Sequence, residues 1–184
     1  MTGVRLIRAE QAPLLARRYY ARGDPGAIVA ALAHVPEVLE VAMPFIATTL
    51  GASAIDARTK ELVILRASAR LGCRYCTQTH TLAASDTGMS RAEVAALRGE
   101  APVDGAFGDP RELALLAWTD AVALGPGPVP PAVRAALLAH FQEPEVVELT
   151  LLVAATVMLN RFCTALELPT SSTTLRRLAE EGWA

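Results

Sequence analysis

Two stretches of the sequence, 87 residues apart, resemble each other closely enough to constrain the fold. Residues 61–77 (ELVILRASARLGCRYCT) and residues 148–164 (ELTLLVAATVMLNRFCT) are identical at seven of seventeen positions. Two apolar helical segments agree readily at Leu and Ala, but these two also share Glu, Arg, Cys and Thr in one register. Because the offset is close to half of 184 residues, we interpret the repeat as an ancient duplication within one domain. It predicts two related halves, at about 27–98 and about 110–168, packed around a pseudo-twofold axis.

The sequence between turn-forming segments is helical in pattern. Gly- and Pro-rich stretches lie at 22–26, 99–110 and 125–131, and such stretches separate secondary-structure elements. The chain contains 35 alanines, the strongest helix formers, and no stretch alternates apolar and polar residues as a half-buried strand does. The sequence therefore predicts an all-α fold. We expect helices at about 9–21, 27–34, 36–50, 57–71, 74–87, 90–98, 110–124, 131–141 and 144–167, with Asp56 capping the fourth and Pro169 ending the last.

Charge and hydropathy exclude several classes of protein. Seventeen basic and nineteen acidic residues give a net charge of −2, without the basic excess of a nucleic-acid-binding protein. Charges at Arg5, Arg8 and Glu10 interrupt any secretory signal, and the longest uncharged apolar run, 149–159, is shorter than the roughly 20 residues that span a membrane. We expect a cytoplasmic protein with no membrane or nucleic-acid partner. A mean hydropathy of +0.32 predicts a homo-oligomer, because one small domain would leave apolar helices uncovered.

The segment CRYCTQTH, residues 73–80, places three reactive groups on one side of a helix. At 100° per residue, Cys73, Cys76 and His80 lie within about 60° of one another. Two thiols at this spacing can close a disulfide at a helix start, where the exposed N–H groups favour a thiolate. His80 follows Cys76 by one turn and can accept its proton. The pattern indicates an activated nucleophile, a resolving thiol and a base.

The repeat indicates that only the first half retains these groups. In the second half the corresponding positions are occupied by Asn160, Cys163 and Glu167. Free cysteine is among the most buried residue types, and we expect Cys163 to be a buried remnant that acts as a small hydrophobe.

Two other readings of the cysteine motif remain open. Cys73, Cys76 and His80 could bind zinc, but structural zinc usually has four ligands and residues 81–92 contain no further cysteine; we therefore expect no metal. The chain could also be a non-enzymatic helical oligomer whose cysteine pair senses oxidants. No GxGxxG or GxxxxGK pattern is present, so we expect no nucleotide and no other cofactor.

Glu61 followed after twelve positions by Cys73-x-x-Cys76-x-x-x-His80 resembles the signature of the alkyl hydroperoxidase D (AhpD) branch of the carboxymuconolactone decarboxylase-like family. The resemblance covers roughly residues 36–168. It implies an all-helical, oligomeric fold, a trimer or hexamer, and a thiol peroxidase or disulfide reductase in which Glu61 and His80 relay protons for the cysteine pair. The implied partners are a peroxide substrate and a lipoyl-type dithiol or small thiol as reductant.

The sequence departs from the family pattern at Tyr75, where the alkyl hydroperoxidase commonly has a second histidine. Muconolactone decarboxylases generally lack the cysteine pair, so decarboxylation is the lesser alternative. We assign Cys76 as the nucleophile and Cys73 as the resolving thiol, because pairing with His80 outweighs a helix-dipole effect of about 0.3–1 kcal/mol. The resemblance favours the same order.

Glu61 lies in an apolar, buried helix, where a carboxylate needs a partner. The candidate partners in the same helix are the two arginines, Arg66 and Arg70.

Overall fold

Alanine-rich, apolar segments between Gly and Pro residues fold into helices in the structure, a computed structural model that describes residues 3–183. No strand forms within this range, and the predicted all-α class is confirmed. The α-helices are α1 (Arg17–Tyr20), α2 (Ala27–Leu32), α3 (Pro36–Leu50), α4 (Ala57–Arg70), α5 (Arg74–Asp86), α6 (Arg91–Leu97), α7 (Pro110–Leu124), α8 (Pro131–Leu138), α9 (Glu143–Ala165) and α10 (Ser172–Glu180).

Local chemistry sets the ends of the helices around the cysteine motif. Asp56 caps α4 as predicted, because its Oδ1 accepts a hydrogen bond from the Thr59 N–H at 2.8 Å. At the other end, Gly72 has φ +67°, a left-handed conformation that favours glycine. The N–H groups of Gly72 and Cys73 donate to the carbonyls of Ala69 and Ser68, the Schellman arrangement that closes a helix. Helix α5 begins two residues later, at Arg74, with Cys73 as its N-cap.

The N-terminal segment does not form the single helix expected at 9–21. Two short 3₁₀ helices, Ala9–Gln11 and Leu14–Ala16, precede α1. Pro13 is the cause: a proline ring disfavours helical geometry in the residue before it, and Ala12 is extended with ψ 123°.

The C-terminal boundaries also correct the prediction. Helix α9 ends at Ala165, before Pro169, because Glu167 adopts φ +50° and the N–H groups of Glu167 and Leu168 cap the helix end. Helix α10 was missed altogether. It has a Ser171 cap and buries Leu178, with Leu175 one turn before it; this spacing is helical, so the signal was present in the sequence.

Helix α4 lies at the centre of the fold and packs against α5, α7 and α9. Residues 62–65 are buried on every side of the helix, so the run LVIL contributes to one core with Trp118 of α7 and Leu149 and Leu152 of α9. Each such aliphatic side chain contributes about 1.5–3 kcal/mol when fully buried. This packing fixes α4 and α5 relative to each other, and with them the residues of the motif.

Helix α9 is long and apolar enough to cross a membrane by length and composition alone, the one helix within residues 3–183 that meets this test. The core helix of a soluble protein meets it as well. In the structure, one side of α9 packs on α4 and α7.

Candidate active site

The cysteine pair lies at the N-terminus of α5. Cys73 is the N-cap residue, and its Sγ accepts a hydrogen bond from the Cys76 N–H at 3.3 Å. The two cysteines are joined in a disulfide, with their Cα atoms 5.4 Å apart, and both are buried. The sulfurs therefore lie at the positive end of the helix dipole, where negative charge on sulfur is stabilised.

His80 and Glu61 are brought together by the packing of α5 on α4. His80 Nδ1 lies 2.8 Å from Glu61 Oε2, and both side chains are mostly buried. A carboxylate only accepts hydrogen bonds, so the histidine donates through Nδ1–H. This bond selects the tautomer in which Nε2 is left to accept a proton.

The partners expected for Glu61 from residue-level reasoning were wrong. Arg66 makes a two-pronged contact with Asp120 of α7, at 2.9 and 2.6 Å, and Arg70 lies 3.7 Å from the same carboxylate. Residues 66 and 70 are about 140° and 180° around the helix from residue 61. They face α7, whereas Glu61 contacts α5.

Cys163 lies beside the disulfide, a placement that the sequence reasoning missed. Its Sγ and those of Cys73 and Cys76 are all within 4.8 Å of one another. The predicted burial is confirmed, and burial raises the pKa of the Cys163 thiol to about 12. The available signal was the alignment of Cys76 with Cys163 in the repeat, because two halves packed around the predicted pseudo-twofold axis would bring equivalent residues together.

A cavity of about 680 Å³ gives access to this group, and its walls include Cys73, Tyr75 and Cys163. Tyr75 also borders a second cavity of about 640 Å³. Burial raises the pKa of Tyr75 to about 12, so its phenol stays protonated at neutral pH. It can donate a hydrogen bond at the position where the family that the signature resembles commonly has a histidine.

The fold and the signature can be compared with known proteins. Residues 36–121 match the model of the carboxymuconolactone decarboxylase family. No curated protein matches the chain. Among solved structures, a protein of unknown function from Agrobacterium tumefaciens, assigned to antioxidant defence as an AhpD, is 26% identical over 77% of this chain and 95% of its own, with a TM-score of 0.65.

Two more distant structures share the fold over nearly the whole chain. A peroxidase-related protein with an AhpD core from Ralstonia eutropha JMP134 is 16% identical, with 94% of both chains covered and a TM-score of 0.81. The debrominase Bmp8, solved as a cysteine variant in complex with 2,3,4-tribromopyrrole, is 19% identical, with 96% of both chains covered and a TM-score of 0.77.

These similarities show an AhpD-like helical fold, which here carries a cysteine pair at a helix N-terminus. The chain is similar to the carboxymuconolactone decarboxylase family over residues 36–121, the segment that holds Glu61, Cys73, Cys76 and His80, and to AhpD-like proteins in its fold.

Proposed function

We propose that the chain is a thiol-dependent peroxidase that reduces peroxides through a Cys73/Cys76 dithiol–disulfide cycle. The observation that carries this proposal is the 2.8 Å bond between His80 Nδ1 and Glu61 Oε2, one helical turn beyond the cysteine pair. A base whose second nitrogen is held by a carboxylate is the arrangement that activates a nucleophile. The proton-relay roles of Glu61 and His80 belong to this proposal.

In the oxidative half of the cycle, His80 Nε2 takes the proton of the Cys76 thiol. The thiolate attacks the terminal oxygen of a hydroperoxide, and the O–O bond breaks with its electron pair leaving on the alkoxide. The alkoxide takes the proton from His80 and departs as an alcohol, while Cys76 is oxidised to a sulfenic acid. The Glu61 carboxylate stabilises the imidazolium for as long as His80 holds the proton.

In the second half, the Cys73 thiol attacks the sulfenic sulfur of Cys76. The new S–S bond forms as hydroxide leaves, and His80 transfers the Cys73 proton to it to give water. An external dithiol then reduces the disulfide by thiol–disulfide exchange, which returns both cysteines to thiols and leaves the donor oxidised. Cys73 lines the 680 Å³ cavity, which favours it as the sulfur that the donor attacks.

A peroxide-consumption assay with several reductants tests the function. Dihydrolipoamide, dithiothreitol, thioredoxin and glutathione are each supplied with a hydroperoxide, and we expect turnover with at least one dithiol. A titration of free thiols before and after a peroxide pulse should lose two thiols per chain, with Cys163 still reduced. If the disulfide forms but no donor supports turnover, the protein is an oxidant sensor and not a peroxidase. If Cys163 is the thiol that is consumed, the assignment of Cys73 and Cys76 as the reactive pair is wrong.

The expected homo-oligomer also belongs to this proposal. Helix α9 exposes Val147, Leu151 and Met158 along one side, and α3 exposes Val38, Val41 and Phe45. An apolar face of this extent is typical of a surface that another subunit covers. The occupant we propose is a second copy of the chain, in a trimer or hexamer.

Light scattering after size-exclusion chromatography tests the assembly. The parent should have three or six times the 19.5 kDa chain mass, and Leu151→Glu should shift it toward one chain with its helix content retained. Leu175→Glu, at an exposed leucine of α10, a helix that packs on α5, is the matched control and should leave the assembly unchanged. A parent of single-chain mass contradicts the proposal.

A further inference from the structure

The cluster of Cys73, Cys76 and Cys163 contains one more sulfur than the peroxidase cycle uses. The three Sγ atoms lie within 4.8 Å of one another. The buried side chains that pack around them include Ala27, Ala31 and Leu168, and Arg74 and Glu167 are among the residues that line the adjoining cavity. The sulfurs are three soft ligand atoms in buried, largely apolar surroundings.

From this geometry we infer that the reduced protein binds a trivalent thiophilic centre, arsenous acid or an equivalent As(III) species, through the sulfurs of Cys73, Cys76 and Cys163. The site shares Cys73 and Cys76 with the proposed peroxidase reaction, but its ligand and the role of Cys163 are not part of that reaction.

The atoms of the reaction balance without an oxidant or a reductant. Arsenous acid carries three hydroxyl groups, and each is replaced by one thiol sulfur. Three As–O bonds and three S–H bonds break, three As–S bonds form, and three water molecules leave. Arsenic remains trivalent throughout.

Charge is what favours this ligand over a metal cation. Three thiolates around Zn²⁺ would leave a net charge of −1, and around Cu⁺ a net charge of −2, in an apolar environment where an unpaired charge is costly. Structural zinc also takes four ligands, and the described residues supply three here. The As(III) trithiolate is neutral, and it forms from protonated thiols. The raised pKa of Cys163 therefore does not oppose its formation.

The dimensions of the site fit as well. A centre bonded to three sulfurs at about 2.3 Å, the length of a zinc–thiolate bond, holds those sulfurs roughly 3.5–4 Å apart. Sulfurs that all lie within 4.8 Å of one another can reach these distances by side-chain rotation once the disulfide is reduced. Arsenous acid is small and uncharged at neutral pH, and the 680 Å³ cavity that reaches Cys73 and Cys163 offers it a path.

The experiment uses the full chain, reduced with a phosphine that is then removed, and titrated with arsenite. Intact-mass spectrometry should show one added arsenic atom with the loss of three hydrogens, and a thiol titration should find three thiols blocked. With Cys163→Ser, the adduct should retain one hydroxyl. Its affinity, measured in competition with dithiothreitol, should fall about 10²- to 10⁴-fold, the usual gain from an additional tethered ligand.

Arsenic X-ray absorption on the unsubstituted protein gives a result that does not depend on whether a variant folds. Three sulfur neighbours and no oxygen are expected. Two sulfurs with one oxygen, no arsenic bound, or an affinity unchanged by Cys163→Ser would overturn the inference. None of these readouts involves peroxide, so their outcome does not test the proposed peroxidase activity, which has its own assay.

Discussion

The corner between α4 and α5 and the C-terminal part of α9 have related sequences but different backbones. At residues 71–77 (LGCRYCT) one helix ends and another begins, whereas at residues 158–164 (MLNRFCT) α9 continues without a break. Gly72 is replaced by Leu159 in this alignment, and the left-handed φ that closes α4 is strained for a leucine. One glycine thus creates the helix N-terminus at which Cys73 and Cys76 lie. Cys163 has no such N-terminus beside it in its own helix.

Two glutamates at the same place in the repeat have different partners. Glu61 contacts His80, while Glu148 lies 2.7 Å from the Nζ of Lys60 and also accepts a hydrogen bond from Ser53. Lys60 is buried and donates to the carbonyls of Thr49 and Gly51. Equal register therefore does not mean equal role: Glu148 holds a buried cation, and Glu61 orients an imidazole.

Equivalent faces of α4 and α9 also differ in their exposure to solvent. Ile64 and Ala67 are buried within the chain, whereas their counterparts Leu151 and Ala154 are exposed. Other helices of the chain cover this face of α4, whereas the equivalent face of α9 is exposed to solvent. The proposed oligomer would give α9 the cover that α4 receives from its own chain.

Replacing the cysteines should give the largest effect and tests whether the corner alone is reactive. We expect Cys76→Ser to reduce peroxide turnover to background, since it removes the attacking sulfur. Cys73→Ser should leave a sulfenic acid on Cys76 that dimedone traps. A sulfenic acid on Cys73 in the Cys76→Ser protein, formed at the parent's rate, would reverse the assignment and make His80 a base for resolution.

The two glutamates offer a matched pair of variants. Glu61→Gln and His80→Ala should keep the fold and lower kcat/KM by about 10²- to 10⁴-fold, the usual contribution of a general acid–base group. Glu148→Gln should change kcat/KM little, because its partner is Lys60. Steady-state kinetics with circular dichroism as the folding control measures both. Turnover within a few-fold of the parent in both Glu61→Gln and His80→Ala would remove the proton-relay account.

Gly72→Ala tests the turn that separates the corner from α9. A left-handed φ costs an L-residue about 1–2 kcal/mol, and no atom lies within 4 Å of the added Cβ, so the whole loss should come from the backbone. Gly108→Ala is the control, because Gly108 lacks a positive φ and its Cβ also meets open space. Urea denaturation should show the loss for the first variant only; equal stabilities would contradict the account.

The Lys60–Glu148 pair should give the smallest effect, visible in its pH dependence. The hydrogen bonds from Lys60 and Ser53 hold the pKa of Glu148 below its usual range, so its stabilising contribution is present above the unfolded-state pKa of about 4.3. It is lost as the pH falls through the lower folded-state value.

Comparing the parent with Glu148→Gln measures this contribution. The difference in free energy of unfolding should be about 1 kcal/mol at neutral pH, since Glu148 is partly exposed. It should shrink as the solution is made acidic. A difference that grew in acid would show that the carboxylate is not held by these bonds.

Most of the local structure around the site could be predicted from the sequence. The Asp56 cap, the start of α5 at the motif and the shared stripe of Cys73, Cys76 and His80 all depend on residues within a turn or two of one another. The prediction failed where a nearby proline opposed the helical pattern, as at Pro13, and at α10, because the predicted helices end before its Ser171 cap.

The sequence by itself determined the helical class, the helix break at Gly72 and the residues of the motif, because these follow from backbone preferences and from spacing along one helix. Only the tertiary structure decided that Glu61 contacts His80 and not an arginine, that Glu148 contacts Lys60, and that Cys163 lies beside the disulfide. Each of these contacts joins different helices. They depend on how α4, α5 and α9 pack, and periodicity within one helix does not specify which side chains of two helices face each other.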